Sequence, residues 1–211
     1  MRAKFKIFLL GLMTVLATLG ALASAAQAGT FTAENYPATI TGTQLTGHKF
    51  SFANNYSVTC ASAAFHGQIP GAVERLTVGA RYEECESNAG DPVTVKMTGC
   101  HYGLEAAETL GENEVDGRLY IKCPAGAGID FDDEVTGCEI KILPQNSLTT
   151  LKYTNNVGAG DFVVDINVFA INYVENALCP GGEGMFFAGQ YAGKSTITGD
   201  FEGEGTGVKV D

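Results

Sequence analysis

Phe162-Val-Val-Asp-Ile-Asn-Val-Phe-Ala170 places Phe162, Val164, Ile166, Val168 and Ala170 in one stripe, interleaved with Asp165 and Asn167. Successive side chains of an extended chain point to opposite faces, so a period of two predicts a half-buried β-strand. The same alternation recurs on both sides of this stretch. Val93, Val95 and Met97 alternate with Thr94, Lys96 and Thr98, and Leu119, Ile121 and Cys123 with Arg118, Tyr120 and Lys122. Cys138, Ile140 and Ile142 alternate with Glu139 and Lys141. Turn residues punctuate the runs at Ile69-Pro-Gly71, Asn88-Ala-Gly-Asp-Pro92, Asp116-Gly117, Asn155-Asn-Val-Gly158 and Pro180-Gly-Gly182. A 3.6-residue stripe is missing throughout; Tyr102 to Leu110, with Glu105, Ala106, Ala107 and Glu108, reads as a turn or two of helix or a loop. The expectation is an all-β fold, an antiparallel β-sandwich or barrel-like domain stabilised by disulfides. A parallel β-helix is the weaker alternative, because the strands are irregularly spaced.

The ends of the chain differ in character. Arg2, Lys4 and Lys6 precede an apolar run from Ile7 to Leu22, and small residues lead to Ala26-Gln27-Ala28. A charged start, an apolar centre and an A-x-A site describe a secretory signal peptide over residues 1–28. The run is nearly long enough for a membrane anchor, but its small-residue end favours cleavage. Residues 29–211 then form a single disulfide-bonded β domain, secreted and without a membrane span. Cleavage removes three of the 13 basic residues and none of the 24 acidic ones, so the net charge moves from −11 to −14. That balance disfavours nucleic acid, whose phosphates call for a basic surface. The 45% hydrophobic and 18% charged fractions exclude intrinsic disorder.

All six cysteines lie beyond the signal, and export places them where disulfides persist. Tyr82-x-x-Cys85 is followed by Thr98-Gly99-Cys100, and Tyr120-x-x-Cys123 by Thr136-Gly137-Cys138, at an interval of fifteen from cysteine to cysteine in each unit. This repeat favours Cys85–Cys100 and Cys123–Cys138, leaving Cys60–Cys179. A sequential scheme, Cys60–Cys85, Cys100–Cys123 and Cys138–Cys179, fits consecutive antiparallel strands equally simply. Sequence alone does not choose between them. Zinc ligation by these cysteines is disfavoured, since no C-x-x-C pair occurs.

Few motifs carry chemistry. Ala188-Gly-Gln-Tyr-Ala-Gly193-Lys194-Ser195 resembles a phosphate loop, but Ala188 stands where glycine is needed and Ser195-Thr-Ile-Thr198 continues as strand instead of opening a helix. Asp200, Glu202, Glu204 and Asp211 imitate a calcium loop with Gly205 in place, although short and long carboxylates are reversed and helical flanks are missing. Glu112, Glu114 and Asp116 end on Cys123 at the twelfth position, and Asp130, Asp132, Asp133 and Glu134 read as a solvated turn. Calcium is thus the one cofactor worth testing. His48, His66 and His101 are scattered, and no G-x-S-x-G elbow occurs. Asn55-Tyr-Ser57 is a glycosylation sequon, relevant only in a glycosylating host.

Phe31-Thr-Ala-Glu-Asn-Tyr-Pro-Ala-Thr-Ile-Thr-Gly42, Val58-Thr-Cys60, the Tyr-x-x-Cys and Thr-Gly-Cys units, Cys123-Pro124 and Leu178-Cys179-Pro180 together resemble a group of small secreted six-cysteine bacterial proteins of unknown function. The resemblance implies export and a disulfide-bonded β fold, and it transfers no site residues. The expected function is a secreted, non-catalytic extracellular or cell-envelope domain with a binding or structural role, one that coats or that binds an extracellular ligand or a cell-envelope polymer. The alternative is a secreted carbohydrate-active hydrolase using paired carboxylates.

Overall fold

The structure, a computed structural model, describes residues 29–211; the proposed signal segment lies outside them. In chain order the strands are β1 (Phe31–Ala33), β2 (Ala38–Ser51), β3 (Ser57–Ile69), β4 (Arg75–Ser87), β5 (Pro92–Lys96), β6 (His101–Thr109) and β7 (Glu114–Lys122). Then come β8 (Ile129–Asp133), β9 (Glu139–Ile142), β10 (Gln145–Asn156), β11 (Asp161–Glu175), β12 (Gly184–Phe201), β13 (Glu204–Thr206) and β14 (Val208–Val210).

The pairing resolves into an antiparallel barrel of eight strands, three of them interrupted. β6 pairs with the first part of β4 and β5 with its last part, so β5 and β6 make one broken strand. β7 with β8, and β9 with β10, repeat this arrangement further round the wall. β11 spans both β9 and β10, and β12 returns to pair with β2 and close the ring. Closure removes most of the free edge that an open sheet exposes. It also selects the barrel over the sandwich and rules out the β-helix.

Phe162, Val164, Ile166 and Val168 point inward as their alternation predicts, while Thr39, Thr41, Thr59, His66, Arg81, Glu83 and Gln190 face solvent. Ala170 leaves the stripe. It sits exposed at a bulge with φ 59°, after which Ile171 and Tyr173 take over the inward face. An apolar inside and a polar outside are the reverse of a membrane-spanning barrel. Tyr102 to Leu110 is strand β6 except for its last residue, neither helix nor loop. Tyr102, Leu104 and Ala106 point inward, and Glu105 points outward to Arg75, Arg118 and Tyr120.

Aromatic rings fill the interior. Phe50 stacks on Tyr191 at 4.3 Å and meets Phe131 edge-on at 4.8 Å, and Phe52 packs on Tyr173 at 5.0 Å. The interior void beside Phe65, Tyr102, Leu119 and Ser195 measures about 20 Å³, room for one water. Small-molecule sites need roughly 300–1,000 Å³, so this part of the interior is packed core and holds no ligand chamber.

Cys60–Cys85, Cys100–Cys123 and Cys138–Cys179 are the bonds formed, and no free cysteine remains among the described residues. The repeat-based pairing is therefore overturned in favour of the sequential one. Cys60 and Cys85 are direct partners across β3 and β4. Cys100 and Cys123 join the breaks of two neighbouring strands, and Cys138–Cys179 ties two loops. Three disulfides fit an oxidising environment. No helix of the described residues is long and apolar enough to cross a membrane.

Candidate functional site

The two ends of the barrel are finished differently. At one end β1 and β14 pair as a ribbon across the opening, and Phe31 is buried against Tyr153 and Phe162 at 5.2 and 5.9 Å. Asn155 fastens the ribbon by donating to the Val210 carbonyl (2.6 Å) and accepting from its N–H (2.9 Å).

The opposite end is built from the loops joining β2 to β3, β4 to β5, β8 to β9 and β11 to β12. These loops are tied to one another. Asn54 Nδ2 donates to the Pro180 carbonyl (2.6 Å), the Ser57 N–H to Asn88 Oδ1 (3.1 Å), and Asn176 Nδ2 to the Gly137 carbonyl (2.9 Å). Cys138–Cys179 adds a covalent strut. Asn54 and Asn55 both hold φ near the left-handed region, at 50° and 65°. Asparagine tolerates that conformation better than most residues, and it lets the chain reverse tightly into β3. Together the loops line a hollow of about 210 Å³. Asn55, Asn88, Asp91, Thr136, Leu178 and Pro180 stand at its rim.

Beneath the rim lies a polar floor. Tyr56 Oη donates to Asp133 Oδ2 (2.9 Å), while Asp133 Oδ1 accepts from the N–H groups of Val135 (3.1 Å) and Thr136 (2.9 Å). Burial alone would raise the Asp133 carboxyl, but these bonds hold it below the usual aspartate range. Burial and the bond to Asp133 push the Tyr56 hydroxyl up. Glu175 behaves oppositely to Asp133. Both its oxygens are buried without a partner at hydrogen-bond geometry, and burial pushes its carboxyl above the usual glutamate range. A Cβ at Gly181 would come within 2.1 Å of Glu175 Oε2, so a larger residue there would require the Glu175 carboxyl to shift. The hydrolase alternative calls for paired carboxylates in an open cleft. Asp133 and Glu175 are only 3% and 5% exposed.

Other sequence candidates fall elsewhere. Asp200 Oδ1 accepts from the Gly203 N–H (3.0 Å) and closes the β12–β13 turn, which carries Glu202; Glu204 opens β13, and Asp211 pairs with Lys209 (2.7 Å). No group of three or more His, Cys, Asp or Glu side chains able to hold a metal gathers among the described residues. Asp130 and Asp132 lie on strand β8, contrary to the solvated turn read from sequence: the strand pairs with β5 and β9, and Lys141 (3.4 Å) and Lys96 (2.6 Å) compensate the two carboxylates on the outer face. The phosphate-loop imitation is the middle of β12: Lys194 points out to Asp165 (2.7 Å), and Ser195 points inward.

The residues missed by sequence reasoning form a buried chain at the centre of the barrel. His48 Nδ1 meets Tyr191 Oη at 2.7 Å and His48 Nε2 meets Ser195 Oγ at 3.0 Å. Tyr191 Oη continues to Tyr82 Oη (2.8 Å), and Tyr82 to Tyr102 (2.9 Å). A Ser–His pair suggests a nucleophile and its base, but His48 and Ser195 are 0% and 2% exposed, and Ser195 borders the single-water void. His66 is on the outer face of β3, and His101 is half-buried. A signal for the cluster was available in β2, where His48 shares parity with Phe50.

Fold and site define a class: a small, disulfide-pinned, side-chain-filled eight-stranded barrel with one capped end and one end of tied loops. Comparison with family models, curated proteins and solved structures finds no match to this chain.

Proposed function

We propose that the mature chain is an exported, non-catalytic binding domain whose recognition surface is the loop end of the barrel, and that it belongs with the small secreted six-cysteine β proteins of bacteria. One observation carries this reading: the interior is filled, while four loops held by hydrogen bonds and a disulfide frame a hollow of about 210 Å³ at the end left uncapped. Binding residues concentrate on loops that a rigid scaffold positions. The rim offers amide, carboxylate and hydroxyl groups beside the apolar Leu178 and Pro180, a mixture suited to one polar unit of a larger extracellular ligand. The net charge of −14 that signal removal would leave disfavours anionic polymers and favours neutral or cationic ones.

The test is retention of the protein on immobilised cell-envelope polymers and a glycan array, with a parallel panel of glycan, peptide and ester substrates. Wild type should bind without turnover. Leu178→Arg and Asp91→Arg, which crowd the rim, should abolish binding while leaving the melting temperature unchanged. Turnover lost in Asp133→Asn or Glu175→Gln would replace this reading with the hydrolase.

A further inference from the structure

β12 outruns its neighbour. Its pairing with β2 ends at Gln190↔Ser51, where β2 gives way to Phe52 and the 3-10 turn Ala53–Asn55. Residues 184–189 therefore pair with β11 alone, through Ile171↔Gly189, Tyr173↔Phe186, Val174↔Met185 and Glu175↔Gly184. The turn lies beside this segment without pairing to it. Gly184-Met-Phe-Phe-Ala-Gly189 contains neither charge nor proline, the two residue types that most often guard an edge strand. Met185 and Phe187 are 54% and 62% exposed, and Phe169 on the outer side of β11 is 47% exposed.

We propose that this edge is a self-association surface, on which a second copy of the chain pairs antiparallel through the same six residues. Charge selects the occupant. A cationic partner would be drawn to the groove on the neighbouring outer face, where Glu139 and Glu183 stand beside the lysine-compensated Asp130 and Asp132. The edge itself is neutral, and on a mature chain of net charge −14 it is a strip where a second equally acidic molecule can approach without direct repulsion. Antiparallel pairing about a twofold axis satisfies the unpaired backbone groups of both copies and sets each Met185 and Phe187 against the partner's. Three exposed side chains and six residues of backbone are a small patch beside the roughly 800 Å² per partner of a standard stable complex. The dimer is accordingly weak, with a dissociation constant of about 10 µM to 1 mM. Salt strengthens it by screening the repulsion between the remaining charges.

Sedimentation equilibrium of the mature chain from about 1 µM to about 1 mM, a range that brackets the dissociation constant, tests this at low and high salt. Wild type should pass from monomer to dimer as concentration rises, at lower concentration in high salt, with the amides of 185–189 gaining protection from hydrogen exchange. Phe187→Lys should remain monomeric, and Met185→Lys serves as a second variant should the first misfold. Thr198→Lys, on the outer face of β12 away from the edge, should dimerise like wild type. A wild type monomeric throughout, a dimer that survives both edge variants, or association weakened by salt would each overturn the proposal.

Discussion

His48 offers the sharpest test of the barrel interior. It is fully buried, both ring nitrogens meet hydroxyls, and neither bonded partner is a carboxylate. Hydroxyls both donate and accept, so a neutral imidazole is satisfied in either tautomer; an imidazolium would be a buried charge with no counterion. Burial accordingly lowers its pKa from 6.5 to about 4, only partly offset by a bond involving the Lys194 backbone. The direction of the effect follows from proton uptake. Between pH 6.5 and 4 the unfolded chain binds a proton at this position and the folded chain does not, so stability is full above about 6.5 and falls as pH drops toward 4. A difference of about 2.5 in pKa, at about 1.36 kcal/mol per unit, corresponds to about 3 kcal/mol. Carboxylates titrate near the lower end of this window, so the readout is a comparison. Urea unfolding of wild type and His48→Gln from pH 7 to 4 should show wild type losing about 3 kcal/mol more than the variant. NMR should find the His48 ring neutral at pH 5.5. A ring titrating near 6.5, or parallel pH profiles for the two proteins, would refute a sealed, uncompensated imidazole.

Three other outcomes are expected. Peptide mapping without reductant should recover Cys60–Cys85, Cys100–Cys123 and Cys138–Cys179. Each bond closes a loop worth about 3–4 kcal/mol in a chain-entropy account, so losing one should lower the melting temperature by roughly 6–16 °C; recovery of Cys85–Cys100 would contradict the fold. Glu175→Gln should stabilise the protein at pH 7 by about 1–3 kcal/mol. Because the folded pKa is raised, the wild-type deficit grows as pH rises above 4.5 and should vanish toward pH 4 in urea melts; a variant less stable at pH 7 would sink the assignment. Gly193→Ala would put a Cβ 2.3 Å from His48 Nδ1 and should cost about 1–3 kcal/mol. Gly205→Ala, which meets open space, should stay within about 0.5 kcal/mol of wild type by the same measurement.

Strands announce themselves in the sequence where large apolar residues alternate with polar ones over several pairs, as from Phe162 to Val168. They fade where the inward positions are small. β6 was hidden because Gly103, Ala106 and Ala107 blur its period, although Tyr102, Leu104 and Ala106 all face the core. The broken strands were hidden for another reason. Met97 to Cys100 interrupts the ladder between β5 and β6, and nothing local states that both pieces lie along β4. The cysteine repeat misled because equal intervals describe chain length, whereas a bond requires adjacency in the wall. Cys60 and Cys85 stand opposite each other by register, and no interval encodes register.

The candidate site was legible only in fragments. Asn88, Asp91 and Pro180 belong to turn signals that the sequence displays, yet their convergence depends on β12 returning to β2 and closing the barrel. Loop closure over such separations is a property of the whole chain. The same closure explains why the motif search led nowhere. In Gly193-Lys194-Ser195 the strand's period sends Lys194 outward to Asp165 and Ser195 inward to His48, while Gly193 leaves room for the imidazole. Three residues that imitate a phosphate loop are thus divided between the two faces of one wall. A filled barrel leaves recognition to whatever its ends and outer faces present, and one of its ends is occupied by the chain's own terminal strands. The loop end and the unpaired edge of β12 adjoin each other through the segment from Cys179 to Gly184. A ligand at the rim and a second copy at the edge would therefore meet the same disulfide-anchored loop.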